Sequence, residues 1–412
     1  MSGIENPTPP LAQRLADLQA LVRDAGLDGW LLYGFRDQNP LAARVLDLPP
    51  VHLTRRWFLL VPLEGRPSLV RHRIERAQWD AITAGVEVAT LPYSSHQELR
   101  DALASTLGGL GRVAMEYSPG AAVPYVSRVD AGTLELVREA GPKAVSSADL
   151  LQHFLTWSDE DRREHDRAML GVVEAKTLAF QFLHDRLRTG DAPTELDAQA
   201  VILETFRRHG LECDSRPIVA FGSHGADPHF EPNAAGNRVL TDGTPILIDL
   251  WATVPGRPYA DITWVGHAGQ PGAAYWRAWT AVSGARDAAI SLLESLPGRG
   301  WNLEGWEVDR AAREVIERAG MGADFTHRLG HALGRETPHG ESVNLDDLET
   351  HDTRRLLPGL AVTVEPGVYP PEFGIRSEVN VYLDPNGPRV TSPVQRGPYI
   401  VGGDVLHEAV EP

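Results

Sequence analysis

The sequence predicts an α/β amino-terminal domain joined to a larger α+β domain, and three observations carry that prediction. At 412 residues the chain exceeds what one hydrophobic core normally organises, so two domains are expected. Over the first 150 residues, helical and strand periodicities alternate. Near residue 157 the texture changes to a long charged, amphipathic stretch, followed by apolar runs punctuated by proline and glycine. These changes place the domains at 1–156 and 157–412.

In the first domain, Leu11, Leu15, Leu18 and Leu21 keep helical spacing until Gly26, and GWLLYGF then reads as a buried strand. RWFLLVPL, SLVRHR and VAMEY are further strands, with SSHQELRDALASTLGGLG a helix between the last two. The second domain opens on SDEDRREHDRAMLGVVEAKTLAFQFLHDRL, one long helix. Its Ser158 and Asp161 stand three apart, the spacing at which each side chain takes the other's backbone amide. Thr194 and Asp197 open a second helix in the same way. Strands with proline and glycine turns follow, then helices and strands again.

Composition narrows the partners. Hydrophobic content of 42% with 23% charged residues is globular. The start, MSGIENPTPP, has neither a basic run nor an apolar one, so no signal peptide is expected. WFLLVPL falls far short of the roughly 20 apolar residues that span a bilayer, so no membrane partner is expected either. A single cysteine, Cys213, rules out an internal disulfide and fits a cytoplasmic protein. The formal charge is −17, and residues 157–412 hold most of it, with 24 basic against 39 acidic side chains. Such a surface repels phosphate backbones, which argues against nucleic acid. Part of the acidic excess fits carboxylates gathered for cations.

Two stretches carry chemistry. THRLGHALGRETPHG, residues 326–340, holds His327, His331 and His339. The first two are four apart, as on one helical face, but Gly330 and Gly334 each cost a helix interior roughly 1 kcal/mol. The segment therefore reads as a glycine-rich loop or strand edge passing close to a ligand. Taken alone, the triplet is either a ligand set or a satisfied structural cluster. In PILIDLWATVPGRPYADITWVG two apolar strands flank a turn at Pro255-Gly256, so a hairpin brings Asp249 back near Asp261, among Ile246, Ile248, Ile262 and Trp264. Facing like charges destabilise a hairpin by up to about 1 kcal/mol, and a divalent cation between them reverses the sign. GLAVTVEPGVY delivers Glu365 from a second apolar strand, and alternation in FGIRSEVNVYL puts Arg376, Glu378 and Asn380 on one face. Buried carboxylates must be paired or bound to metal.

In LIDLWA, YADITW, HRLGHALG, TVEPGVY and GIRSEV the chain resembles the pita-bread metallopeptidases, the family of methionine aminopeptidase, aminopeptidase P and prolidase. The resemblance covers nearly the whole chain and implies a creatinase/prolidase-type amino-terminal domain followed by a pita-bread catalytic domain from residue 157. It implies two divalent ions, manganese, cobalt or zinc, held by Asp249, Asp261, His331, Glu365 and Glu378. In that set Asp261 and Glu378 bridge, Asp249 holds one ion, and His331 with Glu365 holds the other. Glu365 also moves the proton of the attacking water, His339 meets the scissile carbonyl, and His229 and His327 line the substrate pocket and count with them among the catalytic residues. Arg376 either orients a bridging carboxylate or meets a substrate carboxylate. Two intervals, His331 to His339 and Asp249 to Asp261, are each one residue longer than the family's usual spacing. AFGSHGADPH departs from its usual Ser-Gly-x-Asn run, so His224 there reads as structural.

No Gly-x-x-x-x-Gly-Lys loop, His-Glu-x-x-His helix or Gly-x-Ser-x-Gly elbow is present to support another chemistry. The resemblance implies hydrolysis of Xaa-Pro bonds in a homodimer, favoured here as a dipeptidase. The alternatives are aminopeptidase P and, further off, a metal-free creatinase-like hydrolase or a non-catalytic binding protein. Arg36 in YGFRDQNP, and Arg55 with Arg56 in HLTRRWF, are the candidates for holding a dipeptide's free carboxylate, because arginine's planar fork suits that group. Related prolidases close the pocket with a loop of this domain from the neighbouring subunit.

Overall fold

The leucine spacing at the start of the chain forms helix α1 (Leu11–Asp24), with Leu15, Leu18 and Val22 buried. The structure, a computed structural model, describes residues 10–410, which divide into two units between Phe154 and Leu155. In the first unit α1 is followed by β1 (Gly29–Gly34), α2 (Pro40–Leu46), β2 (Trp57–Pro62), β3 (Ser68–His72), α3 (Arg76–Ile82) and β4 (Ala89–Tyr93). Then come α4 (His96–Leu107), β5 (Arg112–Met115), α5 (Ala131–Glu139), β6 (Lys143–Ser146) and α6 (Ala148–Gln152). The strands make one mixed sheet in the order β4-β3-β2-β1-β5-β6. Every residue of β1 is buried, as suits a strand inside a sheet covered on both faces. Several short elements carried too little periodicity to be anticipated. β4, for one, contains Pro92, which an edge strand tolerates because one side needs no ladder hydrogen bond. The VAMEY strand ends at Met115. Beyond it the Glu116 carboxylate is buried, accepting from Trp30 Nε1 at 2.7 Å and Asn39 Nδ2 at 2.8 Å.

The second unit opens on α7 (Asp159–Arg188) and α8 (Glu195–His209), each started by the expected capping box at Ser158/Asp161 and Thr194/Asp197. β7 (Ile218–Phe221), β8 (Pro245–Ala252) and β9 (Ala260–Ala268) follow as an antiparallel set. After α9 (Ala273–Glu294) and α10 (Gly305–Arg318) come the short strands β10 (Ala361–Val364), β11 (Gly367–Val368), β12 (Ile375–Arg376) and β13 (Val379–Tyr382). The unit closes with β14 (Arg389–Val390), β15 (Tyr399–Val401) and β16 (His407–Glu408). The sheets run β16-β15-β9-β8-β7, β10-β13-β14 and β11-β12.

The period of two in β8 and β9 separates two cores. Ile246, Ile248, Leu250, Ile262 and Trp264 pack with Phe180, Ile202 and Phe206 of α7 and α8. Leu247 and Val265 join Trp279, Val282, Val308 and the β10–β13 strands on the opposite face. The isoleucines and Trp264 expected around the hairpin aspartates therefore belong to the other side of the sheet, because adjacent residues of a strand point to opposite faces. Among the described residues, no helix is long and apolar enough to cross a membrane.

His165 on α7 sets a pH limit on this unit. Its ring is buried between the Tyr259 carbonyl at 2.9 Å and Thr391 Oγ1 at 2.8 Å, and burial pushes its pKa down to about 4. A depressed histidine contributes stability that is present above its unfolded value, near 6.5, and lost as pH falls toward the folded value. The wild type should therefore lose roughly 2–3 kcal/mol relative to His165→Gln between about pH 7.5 and about pH 4.5. Urea titrations at the two pH values measure it, and a gap that stays constant excludes His165 as the cause.

Candidate metal centre

The hairpin of β8 and β9 supplies the first two carboxylates. Its register pairs Asp249 with Thr263 and Trp251 with Asp261, so the aspartates lie diagonally on one face instead of directly opposite. Thr263, between them, places Oγ1 3.0 Å from Asp249 Oδ1 and 2.8 Å from Glu378 Oε2. The backbone of Asp261 is held by one side chain: its N–H donates to Asn380 Oδ1 at 3.0 Å, and its carbonyl accepts from Asn380 Nδ2. The FGIRSEVNVYL run is broken at Ser377-Glu378 into β12 and β13, which belong to different sheets. Arg376, Glu378 and Asn380 nevertheless all reach the β8/β9 hairpin.

The histidine segment forms no helix; it is tied by isolated bridges, Gly330 to Leu345, Ala332 to Val362 and Leu333 to His339. Its glycines serve backbone packing and not a ligand approach. A Cβ on Gly330 would sit 2.1 Å from the Thr363 carbonyl oxygen, and one on Gly334 2.3 Å from that of Thr337. This close passage brings His331 beside the end of β10. There the Thr363 hydroxyl accepts from the His331 N–H at 2.9 Å and donates to Glu365 Oε1 at 3.0 Å. His331 Nδ1 lies 2.9 Å from the Ala332 carbonyl, so Nδ1 carries the hydrogen. Nε2 is left with a lone pair, 3.4 Å from Glu365 Oε1 and 3.6 Å from Asp261 Oδ2.

Asp249, Asp261, His331, Glu365 and Glu378 thus line one cavity of about 970 Å³. Ligand atoms of Asp261, His331 and Glu378 lie within 4.8 Å of one another, and all three residues are buried. Asp261 Oδ1 and Glu378 Oε1 are buried and, among the described residues, have no hydrogen-bond partner. Burial, and after it mutual repulsion, pushes the carboxyls of Asp261 and Glu378 well above the usual range; Asp249 and Glu365 rise in the same direction, chiefly through burial. Burial holds His331 down to about 3, so its ring is neutral. Orphaned carboxylate oxygens facing a neutral imidazole lone pair are a donor set that fits divalent cations.

Around this set lie Arg376 and the histidines that the sequence singled out, together with Tyr369, Asp309, Arg313 and Trp251, which it did not. Arg376 is buried, with Nη2 on Asp249 Oδ2, Nε 2.9 Å from Thr263 Oγ1 and Nη1 3.0 Å from the Tyr369 hydroxyl. Tyr369 in turn donates to His327 Nε2 at 2.7 Å, while His327 Nδ1 donates to the Arg328 carbonyl. Burial takes His327 to about 3 and Tyr369 up to about 12, so both stay neutral. Asp309 and Arg313 of α10 brace the same loop through the Leu329 amide at 2.7 Å and the Phe325 and His327 carbonyls at 3.0 and 2.9 Å. His229 and His339 are exposed on the cavity wall. His339 stacks 4.1 Å from the His331 ring, and that neighbour followed by burial lowers it to about 4. Trp251 closes another side, its indole N–H 2.8 Å from Asp214 Oδ1. His224 bonds Glu195 at 2.8 Å and stacks on Phe230. Arg36 and Arg55 lie in the first unit, Arg36 over the Phe35 ring and Arg55 against Thr54 Oγ1; the cavity lining runs from Asp214 to Glu378.

Known proteins agree with this architecture. The probable dipeptidase PepE of Mycobacterium tuberculosis is 27% identical over 91% of this chain and 92% of its own. The crystal structure of dipeptidase PepE from Mycobacterium ulcerans superposes with a TM-score of 0.61 at 24% identity, covering 95% of this chain and 98% of that one. The X-prolyl aminopeptidase of Caenorhabditis elegans, described as a cytosolic enzyme with a di-nuclear active site, gives 0.59 at 17% identity over 96% of this chain and 64% of that one. These structures share the pita-bread fold. The family profile itself matches residues 167–385, more than half of the chain, and takes in Asp249, Asp261, His331, Glu365 and Glu378. On that match the protein belongs to metallopeptidase family M24.

Proposed function

We propose that this protein hydrolyses Xaa-Pro dipeptides with two divalent ions, manganese, cobalt or zinc. One observation carries the metal reading: Asp261 Oδ1 and Glu378 Oε1 are buried and unpartnered beside the His331 lone pair. Asp249, Asp261, His331, Glu365 and Glu378 would hold the ions. When bound, such a pair polarises the peptide carbonyl and lowers the pKa of water.

The chain's own groups do the rest. Glu365 takes the proton of the attacking water and delivers it to the leaving nitrogen. His339 donates to the oxyanion that develops on the carbonyl. His229 and His327 form the wall against which the substrate lies. Arg376 has its fork on Asp249, Thr263 and Tyr369, which supports a role in orienting carboxylates over contact with substrate. His229→Ala and His339→Ala should each lower kcat by about 10²-fold while bound metal stays near wild type. Metal analysis alongside kinetics checks this, and loss of metal would reverse the assignment.

The dipeptide preference rests on the dipeptidase name of the Mycobacterium relative, and on Arg36 and Arg55 as anchors for the free carboxylate across a homodimer in the cytoplasm. Xaa-Pro is then cleaved faster than Xaa-Pro-Yaa, and Arg36→Ala or Arg55→Ala raises KM for the dipeptide. Rapid release of the first residue from tripeptides would make the enzyme an aminopeptidase P. Activity unchanged after chelation would point to a metal-free hydrolase, and inactivity with metal restored to a binding protein.

A further inference from the structure

His339 offers its substrate-facing side through Nε2, for which no hydrogen bond exists among the described residues. Its other nitrogen meets Arg328, whose Nη2 lies 3.4 Å from His339 Nδ1. A guanidinium has donors and no acceptor, so Nδ1 must be the acceptor and must lack hydrogen. A neutral imidazole carries one hydrogen, which then resides on Nε2.

We propose that Arg328 is a positioning residue that fixes His339 in the Nε2–H form and so presents an N–H donor to the reacting carbonyl. The proposal rests on the role given to His339 above. The guanidinium is itself held. Glu349 Oε1 accepts the Arg328 backbone N–H at 3.1 Å, and Glu349 Oε2 stands 3.9 Å from Nη1. Glu349 is placed in turn by its amide on the buried Asp346 at 2.9 Å. The Arg328 side chain is 14% exposed.

The contrast with the other two histidines supports this reading. His327 and His331 both give Nδ1–H to a backbone carbonyl, which makes Nε2 an acceptor. His339 has a cation where they have a carbonyl, and the hydrogen moves to the opposite nitrogen. One strand of chain therefore presents a lone pair at His331 and a donor at His339, on rings 4.1 Å apart.

The direct test is ¹⁵N NMR of histidine-labelled, zinc-loaded protein, with His339 assigned by its loss in His339→Gln. His339 is expected to show a protonated Nε2 and a bare Nδ1; the reverse pattern overturns the proposal. In Arg328→Met, kcat for an Xaa-Pro dipeptide should fall about tenfold, with KM and bound metal within twofold, whereas Arg328→Lys, which keeps a cationic donor, should recover most of the rate. A fall in metal content in both variants would mean Arg328 supports the fold and not the imidazole, and unchanged kcat in Arg328→Met would also refute the role. If no peptide is cleaved by wild type, the proposed function fails, and the NMR pattern still decides the ring's hydrogen.

Discussion

Asp261→Asn is expected to lower turnover of an Xaa-Pro dipeptide by about 10³-fold or more while making the metal-free protein more stable. The two effects have one cause. Asp261 Oδ1 is buried without a partner, and its carboxyl lies well above the usual range because of burial and then the charges of Asp249 and Glu365. Without a cation, an ionised Asp261 is therefore a buried charge whose desolvation and carboxylate neighbours outweigh the Arg376 guanidinium. Asparagine has nearly the same volume and removes that charge, leaving no cavity. A carboxyl whose folded pKa is raised contributes stability at low pH that disappears as pH rises through the folded value, so the advantage of asparagine should grow with pH. Glu378→Gln should behave alike, since Glu378 Oε1 is equally orphaned and Asp261 heads the charges that add to its burial. Urea unfolding of chelated protein at about pH 5 and about pH 8, with turnover measured after metal return, reads both effects. Full activity in either variant at trace metal would remove the dinuclear model, and a less stable chelated variant at the higher pH would remove the electrostatic account.

Arg376→Met should cost the metal-free protein about 3–5 kcal/mol, because removing one partner of a buried ion pair leaves the other uncompensated. Arg376 is 5% exposed and faces Asp249, with Glu365 Oε2 4.0 Å from its Nε. It is the buried cation in direct contact with a carboxylate cluster that otherwise repels itself. It also holds the Tyr369 hydroxyl, and through it His327, so its loss loosens the cavity wall as well. Methionine fills the space of the stem, which keeps the comparison electrostatic. Saturating metal supplies positive charge by another route, so the loss should shrink when the protein is loaded. Denaturant midpoints with and without metal make the comparison. A loss under about 1 kcal/mol in the chelated protein would mean that the carboxylates are protonated or solvated and need no arginine.

Much of the fold could be read from local pattern. Leucine spacing located α1, the Ser158/Asp161 and Thr194/Asp197 pairs located the starts of α7 and α8, and two apolar runs around Pro255-Gly256 located the hairpin. Each of these signals lies within a few residues of what it determines, so sequence carries it whole. Short β4 and β6, with little alternation, were not legible, because their pairing energy comes from strands far away in the chain.

The sequence by itself determined which residues are proposed to bear the chemistry: Asp249, Asp261, His331, Glu365 and Glu378 stand in ordered motifs that can be read without knowing how the chain packs. Their meeting in one cavity was decided by tertiary structure. So were the diagonal offset of the aspartates, the Arg376–Tyr369–His327 chain, the Asn380 grip on Asp261 and the contact of Arg328 with His339. Arg376 meets Asp249 across 127 positions, and Asn380 meets Asp261 across 119. Which hydrogen-bond donor reaches which acceptor over such intervals depends on how sheets and helices pack, since spacing specifies only the face on which a side chain emerges. That packing also buried these carboxylates and left Asp261 Oδ1 and Glu378 Oε1 without a hydrogen-bond partner among the described residues, and burial of that kind is what suits them to the proposed cations.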